Sequence, residues 1–289
     1  MTHKIAQIVD SSGGIPREIL RKYNIREVAF HINFGGDQDF QEHINISSEE
    51  FYERMKDDPT QIPKTSIPSV IDWTQAFAEK YTEGYREILV TTIAQQLSSS
   101  FQSATMAAEA FTKNHPDVRI EVIESNTCAC GQAALEIKIA QIIEQGQMLT
   151  EELVKRIKDI IPGVVTLFSV NELTYMRAGG RIGGAAAWLG KLINIKPVCE
   201  FIGGVVHPIK PARCRKKALQ HMVDEAVKRI KYAEDTIICV QHALCEEDAD
   251  FLIAQLREKL NFHGTIYKSM VGAVVGAHSG PGAIGIGIA

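Results

Sequence analysis

Residues 87–111 read EILVTTIAQQLSSSFQSATMAAEAF. The continuous apolar run Ile88-Leu89-Val90 predicts a buried strand over Glu87–Thr92. A polar stretch follows at 95–100. Beyond it Ala104, Ala107, Ala108 and Phe111 recur at helical spacing and predict a helix with one apolar stripe. A buried strand that passes through a small polar loop into a helix is the repeating half of a parallel α/β sheet.

The flanking sequence continues the alternation. Upstream, Lys4–Val9 is a short apolar strand that ends at Asp10-Ser11-Ser12-Gly13-Gly14, and residues 16–24 carry a short helical pattern. Ser47 is placed to cap a helix carrying Phe51 and Met55. Residues 61–69, with Pro63 and Pro68, read as a loop before a helix over Ile71–Tyr81. Downstream, Arg119–Ile123 is the next strand, and Ala133, Ile137, Ala140 and Ile143 mark a helix ending near Gly146. Residues 1–160 are therefore expected to form an α/β domain around a mainly parallel sheet.

The second half, 161–289, is expected to be a separate α/β domain, with the boundary near Pro162-Gly163. Its predicted elements are a strand over Val164–Val170 and a helix over Asn171–Gly180. A small-residue stretch then runs through Gly183-Gly184 to Leu189, and a hairpin turns at Gly203-Gly204. A helix over 213–232, a strand over 236–242, a helix over 247–260 and strands near 264–268 and 271–277 follow. This pattern implies a mixed sheet with helices on one face.

The chain has 289 residues, 45% of them hydrophobic and 23% charged, which is ordinary for a globular protein. Its net charge of -4 gives no footprint for a nucleic-acid partner. The amino terminus turns polar after about nine residues, unlike a secretory signal or membrane anchor. No apolar run reaches the roughly 18 residues of a membrane span. Six cysteines without framework spacing fit a cytoplasmic chain with reduced thiols.

Four polar stretches interrupt the apolar pattern: Thr65-Ser66, Gln95–Ser100, Gly179–Gly184 and His278–Gly282. Ser98 follows a strand and precedes a helix, where open α/β sheets bind ligands and helix N–H groups favour an anion. The serines there also serve as helix caps, and Thr65 and Ser66 as turn formers. His278 reads as sitting just past an apolar strand, where it is either a ligand-facing imidazole or a satisfied core-edge histidine. Arg181, among four glycines, suits a carboxylate or phosphate, or a surface ion pair. Arg213, Arg215, Lys216 and Lys217 form a basic cluster, either a solvated face or a docking site. No phosphate loop, nucleophile elbow or zinc spacing occurs, and Cys128-x-Cys130 reads as buried small hydrophobes.

Taken in order, these segments resemble the DegV family. They are Ile8-Val9-Asp10-Ser11-Ser12, Thr65-Ser66-Ile67-Pro68-Ser69, Leu97-Ser98 with Phe101–Ala104, Gly179–Ile182, the run at 194–197, Arg213 with Lys216-Lys217, and His278–Gly282. The resemblance covers essentially the whole chain. It departs from the family pattern at Ser99, where a glycine is common, at Cys214, where a threonine is frequent, and at Ser279, which replaces a threonine.

The resemblance implies a two-domain α/β protein that holds one long-chain fatty acid at the domain interface. The protein presents the acyl carboxylate to a separate fatty acid kinase, which makes an acyl phosphate for phospholipid synthesis. It is thus a bacterial carrier and not itself an enzyme, with no cofactor or metal. Thr65, Ser98 and His278 match the carboxylate-binding positions. Arg181, Ser66 and Ser99 lie near the headgroup, and Arg213 matches a kinase-docking arginine. Transient membrane contact is left open. Two alternatives are a serine-dependent esterase or acyltransferase using Ser98, His278 and Asp10, and a lipid-sensing regulatory protein.

Overall fold

Strand β1 (Ile5–Asp10) is buried along its length and pairs in parallel with both of its neighbours. The computed structural model describes residues 4–58, 60–146, 148–188, 195–230 and 235–289. In chain order β1 is followed by α1 (Arg17–Lys22), β2 (Arg26–Val28), β3 (His31–Asn33), β4 (Phe40–Gln41), α2 (Ser48–Asp57), β5 (Lys64–Ser66) and α3 (Val70–Thr82). Then come β6 (Glu87–Thr92), α4 (Ser100–Asn114), β7 (Arg119–Glu124), α5 (Ala129–Glu144) and α6 (Thr150–Ile160). The second half contains β8 (Val165–Ser169), α7 (Thr174–Ala178), β9 (Lys196–Ile202), β10 (Val205–Ala212), α8 (Arg215–Arg229), β11 (Ile238–His242), α9 (Glu246–Leu260), β12 (Ile266–Met270), α10 (Ala273–Ser279) and β13 (Ile284–Ile288).

The first sheet has the order β2-β1-β6-β7 and is parallel throughout. Alternation along β6 explains its two layers. Ile88 and Val90 pack with Trp73 and Phe77 of α3 and Phe111 of α4, whereas Leu89 packs with Leu135 and Ile139 of α5 and Leu153 of α6. Local signals set the helix starts. Ser47 Oγ accepts from Glu50 N at 3.1 Å, as its position predicted, and Ser69 and Asp72 form a capping box.

The second sheet is mixed, with the order β10-β9-β8-β13-β11-β12. One face packs Leu167, Val240 and Ile286 on Leu219 and Met222 of α8 and Leu252 of α9. The other face is not open. Helix α5 lies against it, and glycines permit the approach: a Cβ on Gly287 would fall 1.9 Å from the Cys130 carbonyl oxygen. Helix α5 is therefore shared by both sheets, which corrects the expectation of helices on one face only.

Several segments differ from the sequence expectation. Residues 64–66, read as loop, form β5, which pairs with β3 in a small β4-β3-β5 sheet. Residues 271–277, read as a strand, instead enter helix α10. The run of Val, Ala and Gly is ambiguous in period, and tertiary packing decides it: Ala273 and Ala277 dock against α2, where Gly276 comes close to Phe51 and Tyr52. His278 therefore lies in the last turn of a helix, not past a strand. The helix expected over Asn171–Gly180 is the shorter α7, and the glycine hairpin is as expected, with φ of 57° and 76° at Gly203 and Gly204. Leu189, Asn194 and residues 231–232, named in the sequence reading, lie outside the described residues.

Candidate functional site

A cavity of about 280 Å³ opens where β5, the loop after β6, α7, α10 and the second sheet converge. Thr65, Ser66, Ser98, Ser99, Arg181 and His278 all line it, although they are spread over more than 200 positions of the chain. Most of the remaining wall is apolar, including Phe30, Ile93, Phe168, Phe201 and Val274. The Phe168 and Phe201 rings stack 5.0 Å apart.

The mouth is polar by construction. Thr65 Oγ1 and His278 Nε2 lie 2.9 Å apart, joining β5 to the end of α10. Burial, reinforced by the nearby Arg181 guanidinium, lowers the His278 pKa to about 4. The imidazole is therefore neutral at pH 7. Its Nδ1 has no partner among the described residues, and it sits where a Cβ on Gly179 would fall 2.0 Å away. Gly179 thus has a steric role beneath the imidazole.

Ser98 Oγ accepts from Ser100 N at 3.2 Å, and no acceptor among the described residues takes its own proton, which is left to donate into the cavity it lines. Ser100 Oγ in turn donates to Asp10 Oδ2 at 2.8 Å, and Ile93 N donates to the same oxygen at 3.0 Å. The buried Asp10 carboxyl, its pKa raised by burial, ties the end of β1 to the loop that carries Ser98. Ser99, at φ -86° and ψ 18°, occupies backbone space open to any residue, so the serine fits where the family often has glycine.

Arg181 spans the mouth: Nε donates to Leu97 O at 3.1 Å and Nη1 to Gly179 O at 2.5 Å. Two of its donors are thus committed to backbone carbonyls, and the guanidinium faces the site as a fixed positive charge. Arg213 is separate from this cluster, exposed in the turn between β10 and α8. The Ser98, His278 and Asp10 relay is not assembled. His278 Nε2 meets Thr65, its Nδ1 meets no carboxylate, and Asp10 bonds Ser12, Gln132, Ile93 and Ser100 instead.

Ser279, named in the sequence only as part of the His278–Gly282 stretch and given no binding role there, also lines the cavity, and its buried Oγ has no partner among the described residues. Sequence reading missed Thr166 and Gln241. The alternation of Thr166 and Phe168 on β8 was the available signal. Phe168 and Met176 also belong to the cavity lining. Among the described residues no helix is long and apolar enough to cross a membrane.

Comparison with known proteins agrees with this architecture. A DegV domain-containing protein of Clostridium acetobutylicum is 28% identical over 284 residues, spanning 98% of each chain. The crystal structure of a stearic acid-binding protein from Eubacterium ventriosum matches with a TM-score of 0.90 at 26% identity, over 99% of this chain and 97% of that one. The crystal structure of DegV, a fatty acid binding protein from Bacillus subtilis, matches with a TM-score of 0.84 at 28% identity, over 99% of each chain. The sequence profile of the DegV family, described as an uncharacterised protein, spans residues 4–289, and the chain belongs to that family.

Proposed function

We propose that this protein binds a single long-chain fatty acid, with the chain in the apolar cavity and the carboxylate at its polar mouth. The observation that carries the reading is the pairing of Thr65 and His278, at 2.9 Å, beside the free Ser98 hydroxyl on the rim of an otherwise apolar cavity. A carboxylate taken out of water needs hydrogen-bond donors. Ser98 supplies one and the Thr65–His278 pair a second, since a neutral imidazole has a single N–H and the 2.9 Å contact uses one of the pair's two protons. Ser66, Ser99 and Arg181 complete the headgroup surroundings. The chain supplies the driving force: fourteen or so buried methylenes, at about 0.8 kcal/mol each, give a gross term of about 11 kcal/mol. The ligand lies between two halves, 1–160 and 161–289, since residues of both line the cavity.

The protein then acts as a carrier that presents the carboxylate to a separate fatty acid kinase. Neutral donors at the carboxylate itself suit this role, because a close ion pair would stabilise the ground-state carboxylate and blunt its attack on a phosphoryl donor; Arg181, with Nε and Nη1 held by Leu97 O and Gly179 O, serves as a charge near the headgroup and not as that close partner. Arg213, exposed beside exposed Lys216 and Lys217, is the docking residue for that partner. Native mass spectrometry followed by lipid extraction tests the binding. The expected result is a co-purifying C14–C18 fatty acid that is lost or reduced in the Thr65→Ala/Ser98→Ala double variant. A protein that stays free of lipid after incubation with fatty acids would overturn the reading. Acyl phosphate formation with added kinase and ATP tests the carrier step. Arg213→Ala is expected to slow transfer without releasing lipid.

A further inference from the structure

Beyond the headgroup cluster and Ser279, which adjoins His278, two polar side chains interrupt the apolar wall of the cavity: Thr166 on β8 and Gln241 on β11. Both are buried, at 1% and 2% exposure. They lie on the cavity face of the second sheet. Gln241 is in register with Gly285 of β13, which is in register with Phe168, two residues from Thr166 on β8.

Their hydrogen bonding is incomplete on the cavity side. Gln241 Nε2 donates to Gly13 O at 2.7 Å and to Gly14 O at 3.0 Å. Two carbonyl acceptors fix the orientation of the amide, and among the described residues nothing donates to its Oε1. Thr166 Oγ1 lies 2.6 Å from Thr127 Oγ1, a bond that uses one of the pair's two hydroxyl protons. No described acceptor takes the other proton, and Thr166 is the member of the pair on the cavity wall. With Thr127 as the donor to Thr166, the proton left over is that of Thr166, and the wall offers one open acceptor and one open donor, on strands β8 and β11, which carry none of the headgroup residues.

A plain polymethylene chain packed there leaves both groups desolvated and unpaired, which is unfavourable. A hydroxyl on the chain is donor and acceptor at once and satisfies either group. We propose that the preferred ligand is a long-chain fatty acid carrying a hydroxyl on its chain, seated against Thr166 and Gln241. This refines the fatty-acid reading and rests on it.

The test is calorimetric titration of delipidated protein with stearic acid and with a positional series of mid-chain hydroxystearic acids. The expected result is one positional isomer binding about tenfold or more tighter than stearic acid. That affinity ratio falls towards one in Thr166→Val and is retained in Thr166→Ser, which keeps the hydroxyl. If every hydroxystearic acid binds no tighter than stearic acid, the proposal fails while fatty-acid binding stands, as when ordered water satisfies the wall. If neither ligand binds, the fatty-acid reading itself fails. A preference that survives in Thr166→Val removes Thr166 from the assignment. Should that variant not fold, the wild-type ratio and its retention in Thr166→Ser decide.

Discussion

Replacing Gly179 by alanine isolates the imidazole at the cavity mouth. Gly179 has φ -78° and ψ -10°, a helical conformation that alanine adopts freely. Gly→Ala at such a position ordinarily stabilises a fold by about 0.4–1 kcal/mol. Here the new Cβ would lie 2.0 Å from His278 Nδ1 and 2.8 Å from Cε1, so the ring must move. Moving it breaks the 2.9 Å contact with Thr65 and removes His278 from the headgroup. A hydrogen bond to a charged group contributes about 1.5–3 kcal/mol, so fatty-acid affinity is expected to fall roughly 10- to 150-fold. Stability of the ligand-free protein should change by no more than about 1 kcal/mol. The assay is displacement of a fluorescent fatty acid from wild type, Gly179→Ala, His278→Ala and the double variant. In the His278→Ala background the Gly179→Ala change should have almost no further effect, because the clash is gone. An equal loss of affinity in both backgrounds would refute the argument.

Three further outcomes follow from the same structure. His278, lowered by burial to about 4 in the folded protein from its ordinary 6.5, binds fewer protons folded than unfolded between those values. Stability should therefore be full above about pH 6.5 and decline towards pH 4, by on the order of 3 kcal/mol, and His278→Gln should flatten that part of a pH-denaturation series. For His43 burial works downwards, but its bond to Glu27 and the nearby Glu42 outweigh it and raise the value to about 9. The stability it contributes should be present below pH 6.5 and lost as pH rises through about 9, a loss absent in His43→Gln when melting is followed by circular dichroism. Gly287→Ala should destabilise by about 2–3 kcal/mol in urea titration, because its Cβ meets the backbone of α5 at 1.9 Å. Gly163→Ala, with nothing within 4 Å, is the matched control and should be close to neutral.

Much of the architecture was legible in the chain because it rests on local signals. The apolar run at 88–90, the capping serine at 47 and the Gly203-Gly204 turn each specify their element through backbone and short-range chemistry. The order of polar stretches from Asp10-Ser11-Ser12 to His278–Gly282 likewise pointed to the candidate mouth residues, and Thr65, Ser98 and His278 do line one cavity. Where local signals were weak, the reading failed. The run at 271–277 has no decisive period, and its helical state follows from Ala273, Gly276 and Ala277 fitting beneath α2. Strand β13, Ile-Gly-Ile-Gly-Ile, was unmarked because its glycines serve close approach to α5 and not a turn.

The sequence by itself determined the α/β class, the hairpin, the helix caps and the identities of the hydroxyl, imidazole and guanidinium groups at the mouth. These depend on side-chain period, capping and residue type, all written within a few residues of one another. Only the tertiary structure decided how those groups are used. It set Thr65 against His278 across 213 positions and turned Arg181 onto two backbone carbonyls. It also set Thr166 and Gln241 on the cavity wall, with Thr166 bonded to Thr127 and the Gln241 amide held by the carbonyls of Gly13 and Gly14. Such pairings depend on how two sheets close upon one shared helix, and that is fixed by packing over the whole chain, not by any local stretch of it.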